Sequence, residues 1–318
     1  MKSPRTLALA IGLACALPAA AFDVQGHRGT RGLAPENTLA AFQRALDLGV
    51  TTLETDLAVT RDGVLVISHD PFLNPDLVRD ANGAWLATRG PPIHTLTLAE
   101  LKRYDIGRLN PASAYAKEFP TQQATDGQRF PTLVEVFALG ATNRVRFNIE
   151  TKITPTSGDE TPDPAAFARL VVEAIRSAGL MQRVTVQSFD WRTLIEVKRL
   201  APDIATACLT IEIPNNDTVQ RQATTPSPWH AGLGLAQHGG SLPRLVKAAG
   251  CSTWSMFWPN LTPEVAAEAR ALGLQVLPWT VNEPADMARL IDWRVDGIIT
   301  DYPDRLRKVM AEKGMALP

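Results

Sequence analysis

Seven ionisable residues stand where short apolar runs end or just inside them. His27 and Arg28 close one run, Glu54 and Asp56 sit two apart in the next, and His69 follows a third. Glu150 and Lys152 close a fourth. On a strand, residues two apart point to the same side, so Glu54 and Asp56 share a face. Glu150, at the end of a neighbouring strand, can face them. Three carboxylates in one place repel unless a cation sits among them. Oxygen-only ligands suit a hard divalent ion, Ca2+ or Mg2+. A lone Glu-x-Asp pair is usually a solvated strand face; its alignment with Glu150 argues for a metal site instead.

Two histidines beside such a site form a natural acid–base pair, because imidazole titrates near neutral pH. His27 reaches the carboxylates from its own strand. The pair Asp62-Gly63 predicts a hairpin. With the turn centred between these two residues, His69 lies opposite Asp56. Arg28 offers a fork matched to phosphate oxygens and Lys152 a point charge. Their blander role would be to neutralise the carboxylates. A cation, two basic side chains and two proton carriers together describe phosphoryl transfer. Gln187 and Trp279 are weaker candidates for lining the same pocket, and core packing explains Trp279 equally well. Phe189 and Phe257 read as wall. His94, His230 and His238 lie in irregular stretches and read as solvated.

The elements that would position these groups follow from periodicity. Apolar runs rich in Val, Ile, Thr and Leu cover 24–28, 52–59, 64–69, 145–151, 184–189, 205–210, 253–258, 275–281 and 297–301. Helical patterns fill 37–48, 163–178, 191–200, 242–249, 262–272 and 283–292, with Gly49, Gly179, Gly250 and Gly273 as stops. Strands alternating with helices predict a parallel sheet. Nine strands are one too many for a (β/α)8 barrel, but no helix fits between 59 and 64. The third run is therefore an antiparallel excursion, and eight parallel strands remain: a TIM barrel. Working residues of such a barrel sit at the C-terminal ends of its strands, where these seven groups fall. Segments 71–131 and 213–240 are rich in turn-forming and polar residues and read as insertions that cover or line the site.

Composition narrows the classes further. The 318 residues are 45% hydrophobic and 20% charged, with 32 basic and 33 acidic side chains. That balance excludes disorder and gives no footprint for nucleic acid. Residues 1–21 carry Lys2 and Arg5, then an apolar stretch, then small residues around Pro18. This pattern predicts a secretory signal peptide and an exported, periplasmic protein. A membrane anchor and lipidation at Cys15 are the weaker alternatives. Residues 22–318 then form the mature barrel, with no further apolar run long enough to span a membrane. Its cysteines, Cys208 and Cys251, are either a disulfide, which export would permit, or two buried thiols.

At this point the residues resemble a known family. His27-Arg28-Gly29, Pro35-Glu36-Asn37-Thr38, Glu54-Thr55-Asp56, Thr60-Arg61-Asp62-Gly63, His69-Asp70, Asn148-Ile149-Glu150-Thr151-Lys152, Gln187-Ser188-Phe189, Trp279-Thr280-Val281-Asn282 and Gly297-Ile298-Ile299-Thr300-Asp301 resemble the glycerophosphodiester phosphodiesterases, in order, across 24–310. The long 71–131 insertion is similar to that of the exported bacterial branch. The resemblance implies a TIM barrel with one divalent cation on Glu54, Asp56 and Glu150. It makes His27 and His69 the acid–base pair and sets Arg28 and Lys152 on the phosphate. It also implies a cap on the first helix from Asn37 or Thr38, and support for the site from Glu36. The implied reaction is hydrolysis of a small glycerophosphodiester to sn-glycerol 3-phosphate and an alcohol. Two other readings use the same fold. One is a lysophospholipase D or sphingomyelinase D-like enzyme, which needs an apolar channel that the polar insertions do not suggest. The other is a non-catalytic surface binding protein, which the intact motifs oppose.

Overall fold

The structure is a computed structural model that describes residues 21–318. Residues 1–20, which hold Cys15 and nearly all of the proposed signal peptide, lie outside the described residues. Strands and helices alternate from Phe22 onward. They are β1 (Asp23–Gly26), α1 (Leu39–Asp47), β2 (Thr52–Val59), β3 (Leu65–Ile67), α2 (Leu133–Ala138), β4 (Arg146–Thr151), α3 (Pro164–Ser177), β5 (Val184–Ser188) and α4 (Trp191–Leu200). Then follow β6 (Ala205–Thr210), α5 (Leu242–Ala248), β7 (Thr253–Met256), α6 (Pro263–Ala271), β8 (Gln275–Val276), α7 (Pro284–Asp292), β9 (Gly297–Thr300) and α8 (Pro303–Glu312).

Eight strands run parallel in the order β8–β7–β6–β5–β4–β2–β1–β9, and β3 pairs antiparallel with β2. Between β8 and β9, backbone hydrogen bonds join Asp296 N to Val276 O (3.0 Å), Ile299 N to Pro278 O (3.1 Å) and Val281 N to Ile299 O (3.0 Å). The barrel predicted from the strand count is thus present. All eight residues of β2 are buried. Leu53, Leu57 and Val59 belong to the core beneath the helices, while Glu54 and Asp56, on the alternate face, turn inward. Helices α1, α3 and α4 each bury one apolar stripe, with Phe42, Phe167 and Trp191 fully enclosed. Losing a side chain of that size from such a site costs about 3–5 kcal/mol. The helices begin where local chemistry favours it. Thr38 Oγ1 accepts the Ala41 amide at 3.1 Å, and Thr132 and Glu135 form a reciprocal capping box at α2. Each such cap is worth about 1 kcal/mol.

The structure corrects several expectations. The β2–β3 loop has three residues rather than two. Thr60 N bonds to Val64 O at 3.0 Å, and Gly63 takes φ 77°, the left-handed conformation that closes a three-residue turn. The register therefore pairs Leu57 with Ile67, and Ser68 N meets Asp56 O at 3.0 Å. Ser68, not His69, lies opposite Asp56. Helices α2 and α8 are additional: α2 has only six residues, too few for a periodic pattern. The 71–131 insertion, whose sequence shows one helical piece near Leu98–Arg103, has that helix at Leu98–Leu101 and more order besides. Leu73, Val78, Ile93, Leu101, Ile106 and Phe130 form a second small core against Ala58 and Val66. Another short helix stands at Ala114–Glu118. His230 is buried rather than solvated, stacked on Trp191 with ring centroids 4.3 Å apart; His94 and His238 are half-buried. Cys208 and Cys251 form a disulfide, with Cα atoms 5.9 Å apart and 43 residues apart in sequence. Closing a loop of that length removes unfolded-state entropy worth about 4 kcal/mol. Among the described residues no helix is long and apolar enough to cross a membrane.

Candidate active site

At the C-terminal end of the barrel an open cavity is lined by His27, Arg28, Glu54, His69, Glu150 and Lys152, with Gln187, Phe189 and Trp279 on its walls. All nine residues singled out from the sequence meet there except Asp56, which lies just beneath. Parallel pairing places Asp56 beside Glu150 and Glu150 beside Gln187. Glu54, Asp56 and Glu150 are buried, and each offers an oxygen within 4.8 Å of the others'.

Each carboxylate is held by its own partner. Glu54 accepts the Arg28 backbone amide at 2.9 Å and the Gln187 amide nitrogen at 2.7 Å. Gln187 in turn accepts from Asn148 at 2.9 Å, so its amide orients Glu54. Asp56 accepts from Asn37 Nδ2 at 2.9 Å, and Thr55 Oγ1 donates to Asn37 Oδ1 at 3.0 Å. Asn37 can reach inward because it adopts φ 56°; Thr38, one residue on, is the helix cap. Glu150 accepts from Lys152 Nζ at 2.8 Å. The backbone that lets Arg28 N point at Glu54 is also left-handed, at φ 49° for Arg28 and 84° for Gly29. A side chain at Gly29 would meet the Ala41 backbone at 2.7 Å, so glycine is required there.

Electrostatics favour a cation among the three. Burial raises Glu54 well above the usual carboxylate range, and the neighbouring Asp56 raises it further. Glu150 is raised too, by burial and by Asp56, against the pull of Lys152. Asp56 moves the other way: burial would raise it, but Arg28, His69 and Lys152 with the Asn37 bond outweigh that. Arg28 Nε stands 3.3 Å and Lys152 Nζ 3.7 Å from Asp56. Both cations therefore partly neutralise the site, as the blander reading held, and both still line the cavity. Two of three clustered carboxylates remain undercompensated. A buried, all-oxygen set of this kind fits a hard divalent cation.

The histidines flank the trio. His27 Nδ1 lies 2.7 Å from Asp301 Oδ1, and its Nε2 lies 4.0 Å from Glu54 Oε2. With the proton on Nδ1 facing Asp301, the Nε2 lone pair faces the site. Burial, then the charge of Arg31, lowers His27 to about 4, against the raising effect of Asp301. His69 Nδ1 lies 3.1 Å from Asp70 Oδ1. Burial, then Arg28 and Lys152, hold it well below its ordinary value. Despite the shifted register, His69 joins the cavity because the chain leaves the β2 ladder immediately after Ser68.

Four further residues complete the site, none of them given a specific contact by the sequence. Arg31 grips Asp301 with two bonds, Nε to Oδ1 at 2.8 Å and Nη2 to Oδ2 at 2.9 Å. Asn282 Nδ2 adds a third at 2.7 Å. Glu36, given only a general supporting role, binds Arg28 Nη1 at 2.7 Å. Tyr115, from the insertion, donates to Glu36. Asn282 stands inside a motif already quoted and Arg31 two residues beyond another, so both could have been flagged; nothing local marks Tyr115. On the apolar side, Phe189 packs edge-on to Trp279 at 5.4 Å, and Phe257 lies behind at 5.7 Å.

Comparisons with known proteins agree with this geometry. Residues 27–305 match the glycerophosphoryl diester phosphodiesterase family model. A glycerophosphodiester phosphodiesterase of Caldanaerobacter subterraneus subsp. tengcongensis is 31% identical over 92% of this chain and 98% of its own. One of Bacillus subtilis is 29% identical over 89% of this chain and 84% of its own. A crystal structure from Silicibacter pomeroyi, assigned to the same enzymes, superposes with a TM-score of 0.84 at 34% identity, covering 95% of this chain and 97% of that one. The Oleispira antarctica phosphodiesterase, solved with the product sn-glycerol-3-phosphate, shares the fold with a TM-score of 0.65 at 23% identity, covering 91% of this chain and 96% of that one. This chain belongs to the glycerophosphoryl diester phosphodiesterase family.

Proposed function

We propose that this protein hydrolyses glycerophosphodiesters to sn-glycerol 3-phosphate and an alcohol, with His27 and His69 as its acid–base pair. The observation that carries this reading is that both imidazoles line one cavity above three buried carboxylates, each with Nδ1 turned to an aspartate. Glu54, Asp56 and Glu150 would hold one divalent cation, Ca2+ or Mg2+, which when bound offsets negative charge on the phosphoryl oxygens. Arg28 and Lys152 line the same cavity and supply the phosphate with a fork and a point charge. One histidine takes the proton from the attacking hydroxyl at Nε2, and the other, entering the step protonated, gives its proton to the departing alkoxide; the first imidazole then loses a proton to solvent and the second gains one before the next turnover. Trp279 and Phe189 offer apolar faces for the glycerol carbons. Gln187 acts through Glu54 rather than on substrate.

The product bound to the Oleispira antarctica relative supports sn-glycerol 3-phosphate as the phosphorylated product. Export to the periplasm is supported by the basic and apolar character of residues 1–21 and by the Cys208–Cys251 disulfide. The reaction is tested by assaying glycerophosphocholine, glycerophosphoethanolamine and lysophosphatidylcholine side by side with added Mg2+ or Ca2+. Turnover of the two water-soluble diesters is expected, and turnover of the lyso-lipid alone would overturn the substrate class. Dialysis against EDTA should silence the enzyme and either cation restore it; full activity after dialysis would refute the metal assignment.

A further inference from the structure

The 71–131 insertion does more than cover the site. We propose that Tyr115, on its short helix Ala114–Glu118, is a positioning residue whose hydroxyl ties together the two arms that hold Arg28 and His27. The proposal rests on the roles given above to those two residues.

The hydroxyl donates to Glu36 Oε2, while the other oxygen of Glu36 holds Arg28 Nη1 at 2.7 Å. The same hydroxyl accepts from Arg31 Nη1 at 3.1 Å. Arg31 uses its remaining face to grip Asp301 by two bonds, and Asp301 holds His27 Nδ1. One oxygen atom thus sits between a buried carboxylate and a guanidinium that belong to different arms. Were it absent, the second oxygen of Glu36 would lose its donor in a buried setting. An unsatisfied buried carboxylate is costly, and it would draw Arg28 or Arg31 towards itself.

The insertion is built to keep this hydroxyl in place. Ser113 caps the short helix by accepting the Ala116 amide at 3.0 Å. Phe119 is buried, packs edge-on to the Tyr115 ring at 5.2 Å and lies 4.8 Å below the Arg31 guanidinium. Beyond it, Gln122 Nε2 donates to Arg31 O at 2.7 Å, Thr121 Oγ1 to Gly32 O at 3.2 Å and Gln123 N to Leu33 O at 2.9 Å. The chain immediately after His27 and Arg28 is therefore stitched to the insertion by three bonds in a row. Burial, then Glu36, raises the tyrosine far above its ordinary range, so the hydroxyl remains a donor.

A double-mutant cycle decides the matter. Tyr115→Phe removes only the oxygen and keeps the ring against Phe119 and Arg31. Glu36→Gln removes the charge that Tyr115 serves. The readouts are the Kd for sn-glycerol 3-phosphate by calorimetry with Mg2+ present, kcat and KM for glycerophosphocholine, and the melting temperature. Tyr115→Phe should weaken product binding and lower kcat/KM about tenfold, which is about 1.4 kcal/mol, while melting within a few degrees of the parent. In the Glu36→Gln background the same substitution should change Kd and kcat/KM less than twofold. Parent-like binding and turnover in Tyr115→Phe would overturn the proposal. So would a tenfold cost that persists undiminished beside Glu36→Gln, since Tyr115 would then act elsewhere. A parent that binds the ligand without hydrolysing the diester would refute the reaction, and the binding cycle would still judge Tyr115.

Discussion

His27 Nδ1 and Asp301 Oδ1 lie 2.7 Å apart, joining the first and last strands of the barrel across 274 residues of sequence. The contact fixes the ring's orientation and places its proton on Nδ1. Asp301→Asn would keep the shape and reverse the proton logic, because an amide can present its NH2 to the imidazole and favour the wrong tautomer. The expected result is a fall in kcat on the order of 10³-fold with KM little changed. Steady-state kinetics check it, and parent-like kcat would separate Asp301 from proton transfer.

Asn37 has no contact with the cavity yet governs one of its carboxylates. Its amide holds Asp56, and its left-handed backbone lets it turn inward. Outer partners of this kind commonly tune metal affinity by about 10–100-fold. Asn37→Ala should therefore raise the Mg2+ or Ca2+ concentration needed for half-maximal activity by about that factor. Activity at saturating metal should largely recover. An unchanged metal titration would show that Asp56 needs no orienting bond.

His230 predicts a pH dependence of stability away from the active site. Its ring is stacked on Trp191, and neither nitrogen has a hydrogen-bond partner among the described residues. Burial lowers it from 6.5 to about 4, with Asp217 acting weakly in the opposite direction. Between those values the unfolded chain binds the proton and the folded chain does not. The contribution to stability is therefore full above pH 6.5 and lost as pH falls towards 4, by about 3 kcal/mol in all. His230→Phe keeps the stack and removes the titration. Urea unfolding at pH 7.5 and pH 4.5 should show a smaller acid loss in the variant. An equal loss in both proteins would assign the acid sensitivity to other groups.

Most of the barrel was legible because its signals are local. Val, Ile and Leu runs marked the strands, amphipathic stretches marked the long helices, and Asp62-Gly63 marked the excursion. Glu54 and Asp56 on one strand face, with Glu150 on the next strand, announced the carboxylate site. What stayed hidden depends on conformation or on distant contacts. The one-residue slip of β3 comes from the φ of Gly63, which no spacing reveals. The inward turn of Asn37 comes from its own left-handed backbone, and residue type alone allowed it to be a cap instead. Gln187 reads as a pocket-lining residue and lines the cavity, but no local signal shows that its amide is shared between Glu54 and Asn148, on two other strands. His230 is buried because Trp191, 39 positions earlier, stacks on it. Tyr115 meets Glu36 across 79 residues, inside a segment whose composition suggested only a cover.

The proposed reaction depends on two histidines sharing one proton cycle. Its most direct test is the steady-state turnover of glycerophosphocholine by His27→Ala and His69→Ala, each at saturating Mg2+ or Ca2+ and each shown to melt like the parent. Loss of one proton carrier typically costs about 10²–10⁴-fold, and each variant is predicted to lose turnover in that range or beyond. Near-parental turnover in both variants would contradict the acid–base pair.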